Sequence, residues 1–190
     1  MNYKEIEYKY WAGKLTKEDF SSRVESLIIS ENLDLEEDVI YVVSCDDYYT
    51  LKEGVGHFVR FRKGGGMYEL TLKRKVDENV VRKEINLNVT NNDDSAVVEF
   101  LNLSGYVKLF QVYKEAWIWK FPDCDISFYT LSDGRSVVEL EAVAYSSVKE
   151  GVATIDKWED LLGLSDLTKE PRSLYEIFTE EGDGLRSSFL

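Results

Sequence analysis

Three charged residues stand at alternate positions near the start of the chain, Glu5, Glu7 and Lys9 within Glu5-Ile6-Glu7-Tyr8-Lys9. In a β-strand alternate side chains share one face, so two carboxylates and an ammonium would point the same way. The device recurs. Arg60 and Arg62 alternate with Val59 and Phe61, and Glu69, Thr71 and Lys73 alternate with Leu70 and Leu72. Arg82, Glu84 and Asn86 alternate with Ile85 and Leu87, and Glu139 and Glu141 with Val138 and Leu140. One such strand is an ordinary water-facing surface. Several suggest another arrangement, because closing a sheet into a barrel turns its charged faces onto a lumen. Arg and Lys beside paired Glu side chains suit a polyanion held together with divalent cations, and a phosphate chain is the obvious candidate.

The elements that would position these residues are legible in outline. Thr16 can cap a helix in which Phe20, Val24, Leu27 and Ile28 recur at helical spacing, ending near Asn32. Residues 39–51 are rich in Val, Ile and Tyr and read as a strand, followed by a Gly54/Gly56 turn and a strand through Arg62. Gly64-Gly65-Gly66 marks a hairpin loop rather than a phosphate cradle, since the sequence after it reads as strand, not helix. Strands at 67–76 and 81–88 are joined by Asp77-Glu78-Asn79, and the stretch Asn91 to Ser95 caps a second helix carrying Val97, Val98, Phe100 and Leu101. Strands at 107–121, 124–131 and 135–145 follow, with Ser132-Asp133-Gly134 as a tight turn. A helix at 147–162 and a shorter one from Arg172 to Thr179 complete an α+β chain of about eight antiparallel strands.

Composition narrows the functional classes. With 190 residues and 44% hydrophobic content, the chain supports one substantial domain, residues 1–190, with no linker composition dividing it. A net charge of −13 argues against duplex nucleic acid or an anionic membrane as partner, so basic residues that serve an anion must be concentrated locally. Cys45 and Cys124 form no C-x-x-C pair, and no apolar run is long enough to cross a bilayer or serve as a signal segment, so a reducing cytoplasm is the expected setting. His57 is the sole histidine and reads as a strand-start residue, which leaves little material for a histidine-based zinc site or triad.

Taken in order, E-x-E-x-K at Glu5/Glu7/Lys9, Asp47-Tyr48-Tyr49, Arg60/Arg62, Thr71-Leu72-Lys73, Arg82/Glu84 and Glu139/Glu141 resemble the CYTH superfamily, the triphosphate tunnel metalloenzymes. The resemblance spans residues 3–145, and Arg172-Ser173-Leu174-Tyr175 looks like the family's C-terminal helix. It implies an eight-stranded antiparallel β tunnel with a charged lumen and helices packed outside. It also implies a triphosphate-containing small-molecule substrate and Mg²⁺ or Mn²⁺ as cofactor. By resemblance Glu5, Glu7, Glu139 and Glu141 would be metal ligands, while Lys9, Arg60, Arg62, Lys73, Arg82 and Lys114 would grip phosphate. Glu7, Lys9 and Glu84 would carry the catalytic roles.

The chain departs from that pattern in three places. Arg82-Lys83-Glu84-Ile85-Asn86 has an amide where a second carboxylate is usual, and Lys114-Glu115-Ala116 lacks an arginine. Tyr129 stands where an Asp is usual, and Asp125 could replace it only with a register shift that turns side chains over. The expected activity is metal-dependent hydrolysis of inorganic triphosphate or of an organic or nucleoside triphosphate, by a monomer or homodimer. A class IV-type adenylyl cyclase and a non-catalytic triphosphate or nucleotide binder are the alternatives. An organic substrate would need an aromatic shelf, for which Trp11, Tyr48, Tyr49, Trp117 and Trp119 are candidates, most of them expected to pack beneath the helices.

Overall fold

The computed structural model describes residues 4–52, 56–75 and 81–181. Its elements in chain order are β1 (Lys4–Trp11), α1 (Lys17–Glu31), β2 (Ile40–Leu51), β3 (His57–Gly64), β4 (Met67–Lys75), β5 (Val81–Asn88), α2 (Asp94–Leu103), β6 (Tyr106–Lys120), β7 (Cys124–Leu131), β8 (Ser136–Ala142), α3 (Val148–Leu162), β9 (Thr168–Lys169) and α4 (Leu174–Glu180). The strands are hydrogen-bonded in the order β5-β4-β3-β2-β6-β7-β8-β1-β9, and β5 also pairs with β1. The order of the eight long strands closes on itself, giving an α+β antiparallel β-barrel. The two-residue β9 is not foreseen in the sequence, being too short to carry a periodicity. Gly54 and the Asp77-Glu78-Asn79 connection lie outside the described residues.

Local signals set the element ends. Thr16 caps α1 by accepting from the Asp19 amide, and Asn32 ends it in the left-handed conformation. Asp93 and Ser147 cap α2 and α3 in the same way as Thr16. Between β3 and β4 the glycine run is a hairpin turn: Gly64 pairs with Met67, and Gly65 and Gly66 have φ of 58° and 78°, where a side chain would be strained.

The chain gathers into two compact units. One holds Ser44–Tyr113 with Lys4 and residues 172–181; the other holds Glu5–Val43 and Lys114–Pro171. In the first, Val97 and Leu101 of α2 pack on Tyr49, Val59, Phe61 and Leu70, the apolar faces of β2, β3 and β4. In the second, α1 and α3 cover the apolar faces of β7 and β8, and Phe20 of α1 meets Trp119 and Phe128 at ring separations of 5.6 and 5.7 Å. Gly151 lets α3 approach β1 closely, since a Cβ there would lie 2.6 Å from Ile6 Cδ1.

Candidate functional site

In the first unit the registers Asp46↔Arg62, Tyr48↔Arg60, Arg60↔Thr71, Phe58↔Lys73, Lys73↔Glu84 and Lys75↔Arg82 place these side chains on one face of β2–β5. This face is not wet. Arg60 is 8% exposed, Lys73 8%, Arg82 5% and Asp46 0%, so the sheet is buried on both sides and the water-facing reading of its charges fails. Ion pairing organises the face. Arg62 donates from Nε and Nη2 to the two Asp46 oxygens at 2.8 Å each, a bidentate pair. Arg60 Nη2 reaches Glu69 Oε1 at 3.1 Å and Thr71 Oγ1 at 3.0 Å, while its buried Nε has no hydrogen-bond partner. Lys73 Nζ lies 2.7 Å from Glu84 Oε2, and Arg82 Nη2 lies 3.9 Å from Glu176 Oε2 on α4.

Burial alone would lower the pKa of both guanidiniums, but the carboxylates, Asp46 foremost, more than offset it and hold both above the ordinary value. The Tyr48 phenol is pushed up to about 12 by burial and then by Asp46.

In the second unit the registers Glu7↔Glu141, Lys9↔Glu139, Ser127↔Glu139, Asp125↔Glu141 and Ala116↔Tyr129 build a second charged face from β1, β8, β7 and β6. Glu5 and Glu7 are each 7% exposed and Lys9 4%. The Lys9 ammonium sits 3.0 Å from Glu7 Oε1 and 2.9 Å from Glu139 Oε2. Tyr129 donates its hydroxyl to Glu139 Oε2 at 3.1 Å. Lys114 lies toward the far end of this face, opposite Leu131 with its Nζ 5.0 Å from the Tyr129 ring centroid.

These carboxylates suit a hard divalent cation in donor type, and two of them converge on the Lys9 ammonium. Among the described residues no three His, Cys, Asp or Glu side chains are gathered as a ready metal cluster.

One sequence expectation is corrected. Asp125 needs no register shift to share a face with the E-x-E pair. It lies four residues from Tyr129, an even spacing, and is paired directly with Glu141. Burial first of all raises its pKa.

The aromatic candidates separate clearly. Trp119 and Tyr49 belong to the apolar packing, Trp117 meets Tyr41 at 5.2 Å, and Trp11 donates to Glu170 at 3.0 Å. Tyr48 alone of the first unit's candidates joins the charged face, where its ring lies 5.8 Å from Phe58 and 6.4 Å from Tyr175. Asp46 is the residue that reading missed. The motif Asp47-Tyr48-Tyr49 drew attention to its neighbour, yet two-residue spacing from Tyr48 already placed Asp46 on the charged face. Asp47 points the other way, into ion pairs with Lys63 at 3.2 Å and Lys108 at 2.7 Å.

Solved structures share this architecture. The PH1012 protein of Pyrococcus horikoshii superposes with a TM-score of 0.75 at 22% identity, covering 90% of this chain and 98% of its own. A candidate adenylate cyclase from Vibrio parahaemolyticus gives 0.66 at 17% identity over 94% and 99%, and one from Bacillus halodurans gives 0.54 at 14% identity over the whole of both chains. The chain has the CYTH fold. No family model matches it, and no curated protein matches its sequence. At these identities the CYTH likeness is one of fold, and the chemistry rests on the side chains described above. Among the described residues no helix is long and apolar enough to cross a membrane.

Proposed function

We propose that this chain is a divalent-metal-dependent hydrolase of a triphosphate-containing substrate. The observation that carries the reading is the burial of both signs of charge, Glu5, Glu7 and Lys9 in one unit and Arg60, Lys73 and Arg82 in the other. Buried ion pairs seldom stabilise a protein more than apolar residues of like volume would, so a set of this size calls for a ligand. A CYTH fold and the motif order support a triphosphate as that ligand.

In this reading Glu5, Glu7, Glu139 and Glu141 would hold Mg²⁺ or Mn²⁺, which would neutralise phosphate charge and polarise the scissile phosphoanhydride. Arg60, Lys73 and Arg82 bind phosphate oxygens and stabilise the charge that develops on the transferring group. Glu84, held by Lys73, orients the attacking water, and Lys9, held by Glu7 and Glu139, is a further cation for the phosphate oxygens. The test is a kinetic split. Glu139→Gln should abolish metal-dependent turnover with an unchanged circular dichroism spectrum, and unchanged activity would remove Glu139 from the metal site. Lys73→Ala should raise KM, and unaltered kinetic constants would place Lys73 off the phosphate path.

One observation favours a second reading, a binder that sequesters its triphosphate without turnover. Lys9 already neutralises Glu7 and Glu139, and Tyr129 supplies a hydroxyl where a carboxylate is usual. Tight metal-independent triphosphate binding without product formation would support it; cyclic AMP and pyrophosphate from ATP would instead assign a cyclase.

A further inference from the structure

Ala116 and Tyr129, two positions at which the chain departs from the motif pattern, stand directly opposite each other on β6 and β7. Both are buried. An alanine leaves the room across the strands that a phenol ring needs, so the two departures form one exchange of volume. The ring lies beneath the Lys114 ammonium, 5.0 Å from its centroid, and its hydroxyl donates to Glu139 Oε2 at 3.1 Å. That reach crosses to β8 on the diagonal, since Glu139 is paired with Ser127, two residues before Tyr129.

A buried phenol ordinarily finds an acceptor. What sets this one apart is the oxygen it takes. The Lys9 ammonium lies 2.9 Å from the same Glu139 Oε2. Two donors, a hydroxyl from β7 and an ammonium from β1, therefore converge on one carboxylate oxygen from the strands on either side of β8. A carboxylate gripped from both sides cannot rotate freely, and Oε1 is the oxygen that neither donor holds. The Glu139 side chain keeps 23% exposure against 6% for Glu7, so it is not sealed from a ligand. An ionised carboxylate at position 129 could not make this contact, because it carries no proton to donate.

We propose that Tyr129 is a positioning residue for Glu139: its hydroxyl, together with the Lys9 ammonium, fixes the carboxylate so that Oε1 is the oxygen offered to a divalent cation. The inference rests on the metal reading above and adds to it the residue that sets the orientation of one ligand. Groups that hold a metal ligand from behind account for about 10–100-fold in metal affinity.

The test is Mn²⁺ binding to the substrate-free chain, with unbound Mn²⁺ counted by electron paramagnetic resonance, for wild type, Tyr129→Phe, Glu139→Ala and the double variant. Tyr129→Phe keeps the ring opposite Ala116 and removes only the hydroxyl, so the circular dichroism spectrum should match wild type while Kd rises about tenfold or more. Because Tyr129 acts through Glu139, adding Tyr129→Phe to Glu139→Ala should weaken Mn²⁺ binding no further than about twofold. A Kd that Tyr129→Phe leaves within about twofold of wild type, or an equal loss with and without Glu139, would overturn the assignment and leave the metal reading standing. Failure of the wild-type chain to bind Mn²⁺ would overturn the metal reading and this assignment with it.

Discussion

Arg60 and Arg62 differ by two residues and share a face, yet the structure gives them different work. Asp46 is fully buried and both of its oxygens accept from Arg62 at 2.8 Å. Replacing Arg62 with Met would leave that carboxylate uncompensated, which costs about 3–5 kcal/mol. For a chain of this size each kcal/mol lowers Tm by about 2–4 °C, so Arg62→Met should melt roughly 10 °C below wild type. Arg60 holds Glu69 and Thr71 through Nη2 alone, and the Glu69 side chain keeps 32% exposure, so water can replace the lost partner. Arg60→Met should therefore cost only about 1 kcal/mol of stability and act mainly on substrate, raising KM about tenfold or more. Thermal melts by circular dichroism and steady-state kinetics on the two variants separate the effects. Adding Asp46→Asn to Arg62→Met should restore part of the lost stability, because the orphaned charge is then gone. The reasoning is refuted if Arg62→Met melts within about 2 °C of wild type and raises KM as Arg60→Met does; Arg62 would then be a phosphate ligand not held by Asp46.

Other consequences follow from the same geometry. Asp47→Asn should destabilise the first unit by about 2 kcal/mol in urea unfolding, because Lys63 and Lys108 lose a buried partner that also accepts from Gln111. Tyr48 has a folded pKa of about 12, above the ordinary 10.0, so the stability linked to its proton is complete below pH 10 and is lost as pH rises toward 12. Tyr48→Phe should remove up to about 1.4 kcal/mol per pH unit of that alkaline decline, read by urea unfolding between pH 9 and 11.5. Gly151→Ala should destabilise the second unit by about 1–3 kcal/mol, since its Cβ would meet Ile6 Cδ1 at 2.6 Å, and an unchanged midpoint would show that α3 tolerates displacement from β1.

Strand faces were the most legible feature of the sequence. Alternation alone placed Glu5, Glu7 and Lys9 together, and Arg60 with Arg62, because a period of two fixes the face whatever the partner strand does. The glycine run was legible as a hairpin for a related reason: apolar alternation resumes at once on its far side. What alternation cannot give is the partner across the sheet. The Asp46–Arg62 and Lys73–Glu84 pairs depend on register, which hairpin geometry sets, whereas Asp125 shares the face of Tyr129 by parity alone, since the two lie four residues apart. The stacking of Phe58 on Tyr175 was hidden for a stronger reason. Phe58 and Tyr175 are 117 positions apart, and neither lies in a pattern that distinguishes a ring facing a ligand from one facing the core.

The most direct test of the central claim is product release from inorganic triphosphate, ATP and thiamine triphosphate by the purified chain, with Mg²⁺, with Mn²⁺ and with excess chelator. Orthophosphate released only when the metal is present, from at least one of the three, is the result this account predicts. Orthophosphate release undiminished by chelator, or no product and no binding with any metal, would contradict it.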